Sequence, residues 1–73
     1  MARHPIQLLD VVALTVDLPT EKLARGNVGT VVEVYAPDAF EVEFVDSRGY
    51  TYGLTTLRAE QLLLLRHDPV AAA

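Results

Sequence analysis

Residues 26–46 contain two runs of alternating, β-branched residues on either side of a Pro-Asp turn. This pattern predicts a β-hairpin. Because successive side chains of a strand point to opposite faces, the register of the hairpin decides which residues share a face. We expect Val32 and Val34 to face the core together with Val42 and Phe44. That arrangement requires cross-strand partners of equal parity, such as Val34 with Val42.

The same register places Glu33, Glu41 and Glu43 on the opposite face, with no basic residue among them. Like charges opposite each other destabilise a sheet by a few tenths of a kcal/mol or more, and a basic partner surface would relieve that repulsion. Val31, Val45 and a nearby tyrosine ring would give this patch an apolar centre with an acidic rim, which is typical of protein interfaces. The candidate partner-binding residues are Glu33, Tyr35, Asp38, Glu41, Glu43 and Asp46.

Length and cysteine content restrict the class of protein. A chain of 73 residues forms one domain, and it buries only roughly 60% of its unfolded surface, so its stability is modest unless a partner or a second copy adds to it. Cysteine is absent, which excludes disulfides, thiolate metal sites and cysteine nucleophiles and fits a reducing compartment.

Charge and hydropathy indicate the location and disfavour some partners. The 10 acidic and 6 basic residues give a net charge of -4, opposite in sign to that of most small nucleic-acid-binding domains. The longest apolar run, at 62–65, is too short to span a bilayer, and residues 1–7 lack the apolar stretch of a signal peptide. We therefore expect a cytoplasmic protein with no membrane partner and no nucleic-acid partner.

Turn residues and short apolar runs predict the rest of the chain. Before the hairpin we predict a lead-in at 6–9 that packs Leu8 or Leu9 on the core, a first strand at 10–15 and a loop at 16–25 with at most one helical turn. After the hairpin we predict a tight turn at 46–49, a fourth strand at 50–56, a 3₁₀ turn at 57–61 and a fifth strand at 62–65. The fourth strand should have Tyr50, Tyr52 and Leu54 on one face. These elements divide the chain into an N-terminal lead-in at 1–7, a domain at 8–66 and a disordered tail at 67–73.

Five short strands with a 3₁₀ turn before the last one predict an all-β fold, a small five-stranded SH3-like barrel. An open sheet of this size would leave two edges and one apolar face in water, which favours closure. The main alternative, an OB-fold, needs a longer chain and a helix between its third and fourth strands. The predicted core is Val12, Leu14, Val28, Val32, Val34, Val42, Phe44, Leu54, Leu57, Leu62 and Leu64, with Leu23 at one end.

Several phrases carry a resemblance to a known family. They lie at 8–15, 17–19, 25–34, 40–46 and 49–51. Together they resemble domain-of-unknown-function family 4926, a group of very small bacterial proteins, over nearly all of 8–65. The resemblance implies an SH3-like fold and an antitoxin-like partner role. The phrase at 26–34 is also similar to the opening of Kyprides-Ouzounis-Woese (KOW) motifs and to the barrel of nitrile hydratase β-type subunits.

No group of residues in the chain predicts catalysis or a cofactor. Gly26 and Gly29 do not precede a helix, whose N-terminal amides would complete a phosphate site, so turn geometry explains them. His4 and His67 lie in opposite tails, without the three or four convergent groups that a metal needs. No histidine is positioned to activate a threonine. We predict that the protein is not an enzyme and has no metal, cofactor or catalytic residue.

The function that these features favour is protein binding, with a partner that has a basic surface. The sharper hypothesis is an antitoxin or immunity-type protein that covers a cognate toxin and imitates phosphate charge in its basic cleft. The alternative is an accessory subunit that braces a larger enzyme. A weaker alternative is a KOW-like RNA-binding module that uses a local cluster of Arg25, Arg48 and Arg58. Homo-oligomerisation is compatible with each of these functions.

Overall fold

A computed structural model of the protein describes residues 6–65, and these residues form an all-β fold. Its strands are β1 (Val11–Leu14), β2 (Val28–Ala36), β3 (Ala39–Val45), β4 (Thr51–Arg58) and β5 (Leu62–Leu64). The strands form one antiparallel sheet in the order β4-β3-β2-β1-β5. Two 3₁₀ turns, Pro19–Glu21 and Ala59–Gln61, confirm the helical turn in the first loop and the turn before the last strand. No helix in this part of the chain has the length and apolar character that crossing a membrane requires.

The sheet is open, so closure into an SH3-like barrel is not confirmed. β4 and β5 are the two ends of the strand order, and no ladder joins them within the described residues. The first loop covers the inner face instead. Leu23, in that loop, is 3% exposed, and Leu18 packs beside the core. The Thr55 hydroxyl donates a 2.9 Å hydrogen bond to Glu21, which fastens the loop to β4.

The core lies between the inner face of the sheet and this loop. Its buried side chains are Val12, Leu14, Leu23, Val31, Phe40, Val42, Phe44, Leu57 and Leu62. All of them except Val31 and Phe40 belong to the predicted core. Ile6 also packs against this cluster.

The prediction is wrong for five residues of the predicted core, which are exposed or only partly buried. Val28, Val34 and Leu54 have exposed fractions of 46%, 41% and 58%. Val32 and Leu64 are only partly buried. The results for Val28 and Val32 follow from the register of the hairpin, which places Gly29 and Val31 on the buried face of β2.

The predicted pairing of Val34 with Val42 is wrong because β2 contains a bulge. Val42 pairs with Val31, which is fully buried, and the register shifts between Val31 and Glu33. The extra residue, Val32, interrupts the alternation of β2. Val34 then pairs with Phe40 in the distal part of the hairpin, where residues 33–36 are all exposed.

A second register shift changes the start of β4. Phe44 pairs with Gly53 and Val45 pairs with Thr51, so Tyr52 is the extra residue. The Tyr52 ring lies 6.3 Å from the Phe44 ring, measured between centroids. Leu54 instead pairs with a residue of the outer face, Glu43. The prediction that both tyrosines and Leu54 share one face is therefore wrong.

The lead-in does not pack its leucines on the core. Leu8 and Leu9 are 55% and 69% exposed. They occupy a turn that the Asp10 N–H closes by donating to the Gln7 carbonyl at 3.0 Å. Within this turn Leu9 has a φ of 71°, in the left-handed region that bulky residues rarely adopt. The predicted tail at 67–73 lies outside the described residues.

Candidate functional site

The three glutamates of the hairpin share the outer face of the sheet. Phe40, Val42 and Phe44 are buried, so the residues that alternate with them in β3, Glu41 and Glu43, project from the other face. Glu33 of β2 is the direct cross-strand partner of Glu41. We call this group, Glu33, Glu41 and Glu43, the acidic ladder.

Threonine and tyrosine hydroxyls hold two of the three carboxylates. Glu41 accepts hydrogen bonds from the Thr56 hydroxyl at 2.7 Å and from the Tyr35 hydroxyl at 3.3 Å. Glu43 accepts one from the Thr51 hydroxyl. The carboxylate of Glu33 is exposed and makes neither a hydrogen bond nor an ion pair with the residues between 6 and 65. Glu33 is thus the member of the ladder most available to a partner.

Tyr35 responds to the negative charge of the ladder. Partial desolvation of the phenol, the charge of Glu41, the hydrogen bond to Glu41 and the charge of Glu33 all raise the pKa of Tyr35 above its ordinary value. Its ring remains 59% exposed. Tyr35 therefore stays a neutral hydrogen-bond donor beside the ladder at physiological pH.

Asp38 and Asp46 lie apart from the ladder. They flank β3, which places them roughly 25 Å from each other. Asp38 forms an ion pair with Arg58 at 3.3 Å. Asp46 accepts hydrogen bonds from the Arg48 and Tyr50 amides at 2.8 and 3.0 Å, inside the predicted tight turn. Both carboxylates thus have partners within the fold, and the structure brings together only the other four candidate residues.

Arg48 and Arg58 lie at opposite ends of β4. The ion pairs among residues 6–65 join Arg58 to Asp38 and to Glu60, the second at 3.7 Å. Arg48 lies near the other end of β4, with its guanidinium 5.9 Å from the centre of the Tyr50 ring. Arg48 and Arg58 therefore do not lie together, whereas an RNA-binding module would need both in one local cluster with Arg25.

Beside the acidic ladder the outer face carries several exposed apolar side chains. Ala13 pairs with Val28 on one side and with Leu63 on the other. We call Val28, Val45, Leu54 and Leu63 the outer apolar patch. Their exposed fractions are 46%, 43%, 58% and 57%. Sequence reasoning expected Val45 beside the ladder but assigned Val28 and Leu54 to the core, and therefore missed that part of the patch. Of the three residues expected to form the apolar centre, Val45 and Tyr35 are exposed, whereas Val31 is buried in the core.

Within the described residues, no group of three or more histidine, cysteine or acidic side chains is arranged to hold a metal ion. The two histidines considered above, His4 and His67, lie outside those residues.

The fold and this surface define a small all-β domain that carries an acidic ladder next to an exposed apolar patch. A family model described as a domain of unknown function (DUF4926) matches residues 8–64. The chain therefore belongs to the DUF4926 family, which confirms the resemblance noted in its sequence. Neither the curated proteins nor the solved structures give a significant match.

Proposed function

We propose that this protein is a protein-binding module whose acidic ladder docks on a basic surface of another protein. The observation that carries the proposal is the pairing of Glu33 with Glu41 on an exposed face. A like-charged cross-strand pair destabilises the free sheet by up to about 1 kcal/mol. No cation within residues 6–65 forms an ion pair with either carboxylate. A basic partner would convert this repulsion into attraction.

The outer apolar patch supports the same proposal. An exposed apolar area next to charged residues is how many protein interfaces are built, because the apolar part contributes affinity and the charges contribute specificity and association rate. Leu54 and Glu43 are cross-strand neighbours, so the two parts of the surface are continuous.

The sharper form of the proposal is an antitoxin or immunity-type protein in the cytoplasm. Toxins that attack RNA need basic clefts, and a row of carboxylates can occupy such a cleft by imitating phosphate charge. On this proposal the sheet and its covering loop act as an SH3-like barrel that presents the ladder. An accessory subunit of a larger enzyme is the alternative, and it would use the same outer face.

The experiment compares four forms of the tagged protein as baits in its native host. They are the wild type, the single variant Glu33→Lys, the triple variant Glu33→Lys/Glu41→Lys/Glu43→Lys and the control Glu60→Lys. Glu60 is exposed and lies outside the ladder, so the control changes charge at a different place by the same amount as the single variant. Circular dichroism first establishes that each variant is folded.

A partner of the ladder should co-purify with the wild type and with Glu60→Lys but not with the triple variant. Its association rate with the wild type should fall as salt rises, because exposed charges are screened. A toxin partner should be neutralised on co-expression, whereas an enzyme partner should lose activity without this subunit. Full affinity of the folded triple variant would overturn the proposal, and tight binding of RNA oligonucleotides would favour the KOW-like alternative.

A further inference from the structure

The two edges of the sheet differ in length. β5 is an edge strand of three residues, Leu62–Leu64, which is too short to present much unpaired backbone. β4 is an edge strand of eight residues, Thr51–Arg58, and within residues 6–65 only β3 pairs with it. Its outer edge therefore offers a row of free N–H and C=O groups.

β4 also lacks most of the devices that protect edge strands. Natural edges are usually kept from pairing by charged residues, proline or bulges. From Thr51 to Leu57 the strand has no charged residue and no proline, and it contains three threonines and a tyrosine, which favour strands. The bulge at Tyr52 disturbs only its beginning. The part from Gly53 onward is regular; the first loop touches it through the side chains of Leu23 and Glu21, and within the described residues no main-chain hydrogen bond from that loop reaches β4.

We propose that two copies of this chain pair through their β4 edges, antiparallel and about a two-fold axis, into a continuous sheet of ten strands. If the two-fold axis is perpendicular to the sheet and passes near Leu54, the outer faces of both copies lie on the same side of the joined sheet. Leu54 of one copy then lies beside Leu54 of the other. Each of these side chains is 58% exposed in the single chain and would be partly covered in the pair. This proposal does not depend on the function of the acidic ladder.

Glu21, which accepts a hydrogen bond from the Thr55 hydroxyl, is the acid nearest to the axis, but the acidic ladder does not oppose a second copy despite the net charge of -4. The acids of the ladder nearest to β4 lie on β3, so the ladders of the two copies are three strand spacings apart, roughly 14 Å. That distance exceeds the Debye length of about 8 Å at physiological salt, and their repulsion is screened. The one charged residue of β4, Arg58, lies at its end, so antiparallel pairing separates the two arginines by roughly 25 Å.

The test is the mass of the purified protein in solution, measured by sedimentation velocity from low micromolar to millimolar concentration. The wild type should change from one copy to two as its concentration rises. At the higher concentrations alternate amides of β4 should be protected from hydrogen exchange, because alternate residues present their N–H groups to the edge that pairs. A wild type that remains a single copy at every concentration would overturn the proposal.

Two matched variants locate the contact. Leu54→Lys brings two lysines together near the axis and should weaken the pair by roughly tenfold or more. Leu63→Lys alters a side chain of nearly equal exposure, 57%, on the other edge strand and should leave the pair intact. Both variants lower the net negative charge equally, so a general charge effect would act alike on both. Dissociation by Leu63→Lys with persistence of the pair in Leu54→Lys would refute the β4 contact.

Discussion

Replacement of Gly29 by alanine tests how closely β2 and β3 approach each other. Gly29 is buried and pairs with Phe44. A Cβ atom at this position would lie 2.7 Å from Val42 Cγ1, 2.8 Å from the Glu43 carbonyl oxygen and 2.9 Å from Phe44 Cδ1. All three separations are shorter than a van der Waals contact. One of the three atoms belongs to the main chain of the paired strand and cannot rotate away, so the two strands must move apart.

The size of the effect follows from these contacts. Extra atoms in a packed core typically destabilise a protein by about 1–3 kcal/mol. We expect the upper half of that range, about 2–3 kcal/mol, because the clash involves main chain as well as two core side chains. For a domain of this size each kcal/mol lowers the melting temperature by about 4–8 °C. Gly29→Ala should therefore melt roughly 10–20 °C below the wild type.

Circular dichroism melts and urea titrations measure this loss, and an unchanged denaturant slope would show that the unfolding reaction is the same. Gly26→Ala is the matched control. A Cβ on Gly26 meets nothing within 4 Å, and its φ of +92° makes the substitution unfavourable for the backbone alone, by about 1 kcal/mol. If Gly29→Ala proved as stable as Gly26→Ala or more so, the close packing of β2 on β3 would be refuted.

Further predictions concern the register, the ladder and a turn. Val31→Asp buries an unpaired carboxylate and should leave the protein unfolded by circular dichroism. Val34→Asp should lower the free energy of unfolding by less than about 1 kcal/mol. If Val34→Asp were instead the more destabilising variant, Val34 rather than Val31 would face the core. Glu41→Gln should lower the pKa of Tyr35 toward its ordinary value in an absorbance titration of tyrosinate, and an unmoved titration would contradict the contact. The pKa of Tyr35 is higher in the folded state than in the unfolded state, so the neutral phenol stabilises the fold. That contribution is fully present below the Tyr35 pKa of the unfolded chain and should be lost as pH rises through the higher pKa of the folded state. Asp46→Ala removes the acceptor of two amides and should lower the free energy of unfolding in urea by about 1–2 kcal/mol, with Asp46→Asn closer to the wild type.

The sequence predicted those parts of the fold that depend on nearby residues. The hairpin turn and the turn at Asp46 depend on the conformational preferences of proline, aspartate and glycine, and Gly49 has the positive φ, 88°, that such a turn favours. The bulge in β2 could not be predicted in this way. Val31 and Val32 are adjacent valines, so either could face the core. The choice follows from the packing of Gly29 against Phe44, a contact between different strands.

The candidate site was predictable to a similar extent. Glu41 and Glu43 alternate with buried residues of β3, which is enough to place them on the outer face. Val28 and Leu54 of the outer apolar patch were missed because these residues were assigned to the core by type, although an exposed sheet face can carry valine and leucine. No local signal in the sequence distinguishes Asp38, which pairs with Arg58, from an acid that faces a partner.

The position of β5 next to β1 has a consequence for the folding pathway. The innermost pair of the β1-β5 ladder is Leu14 with Leu62, so the first and last strands meet only after the loop at 15–61, 47 residues long, has closed. Closing so long a loop costs more chain entropy than forming the hairpins of β2, β3 and β4, which join neighbours in sequence. The meander of these three strands can therefore form early, while the β1-β5 ladder completes the domain late. Local opening should begin at that short ladder and leave the hairpin of β2 and β3 intact.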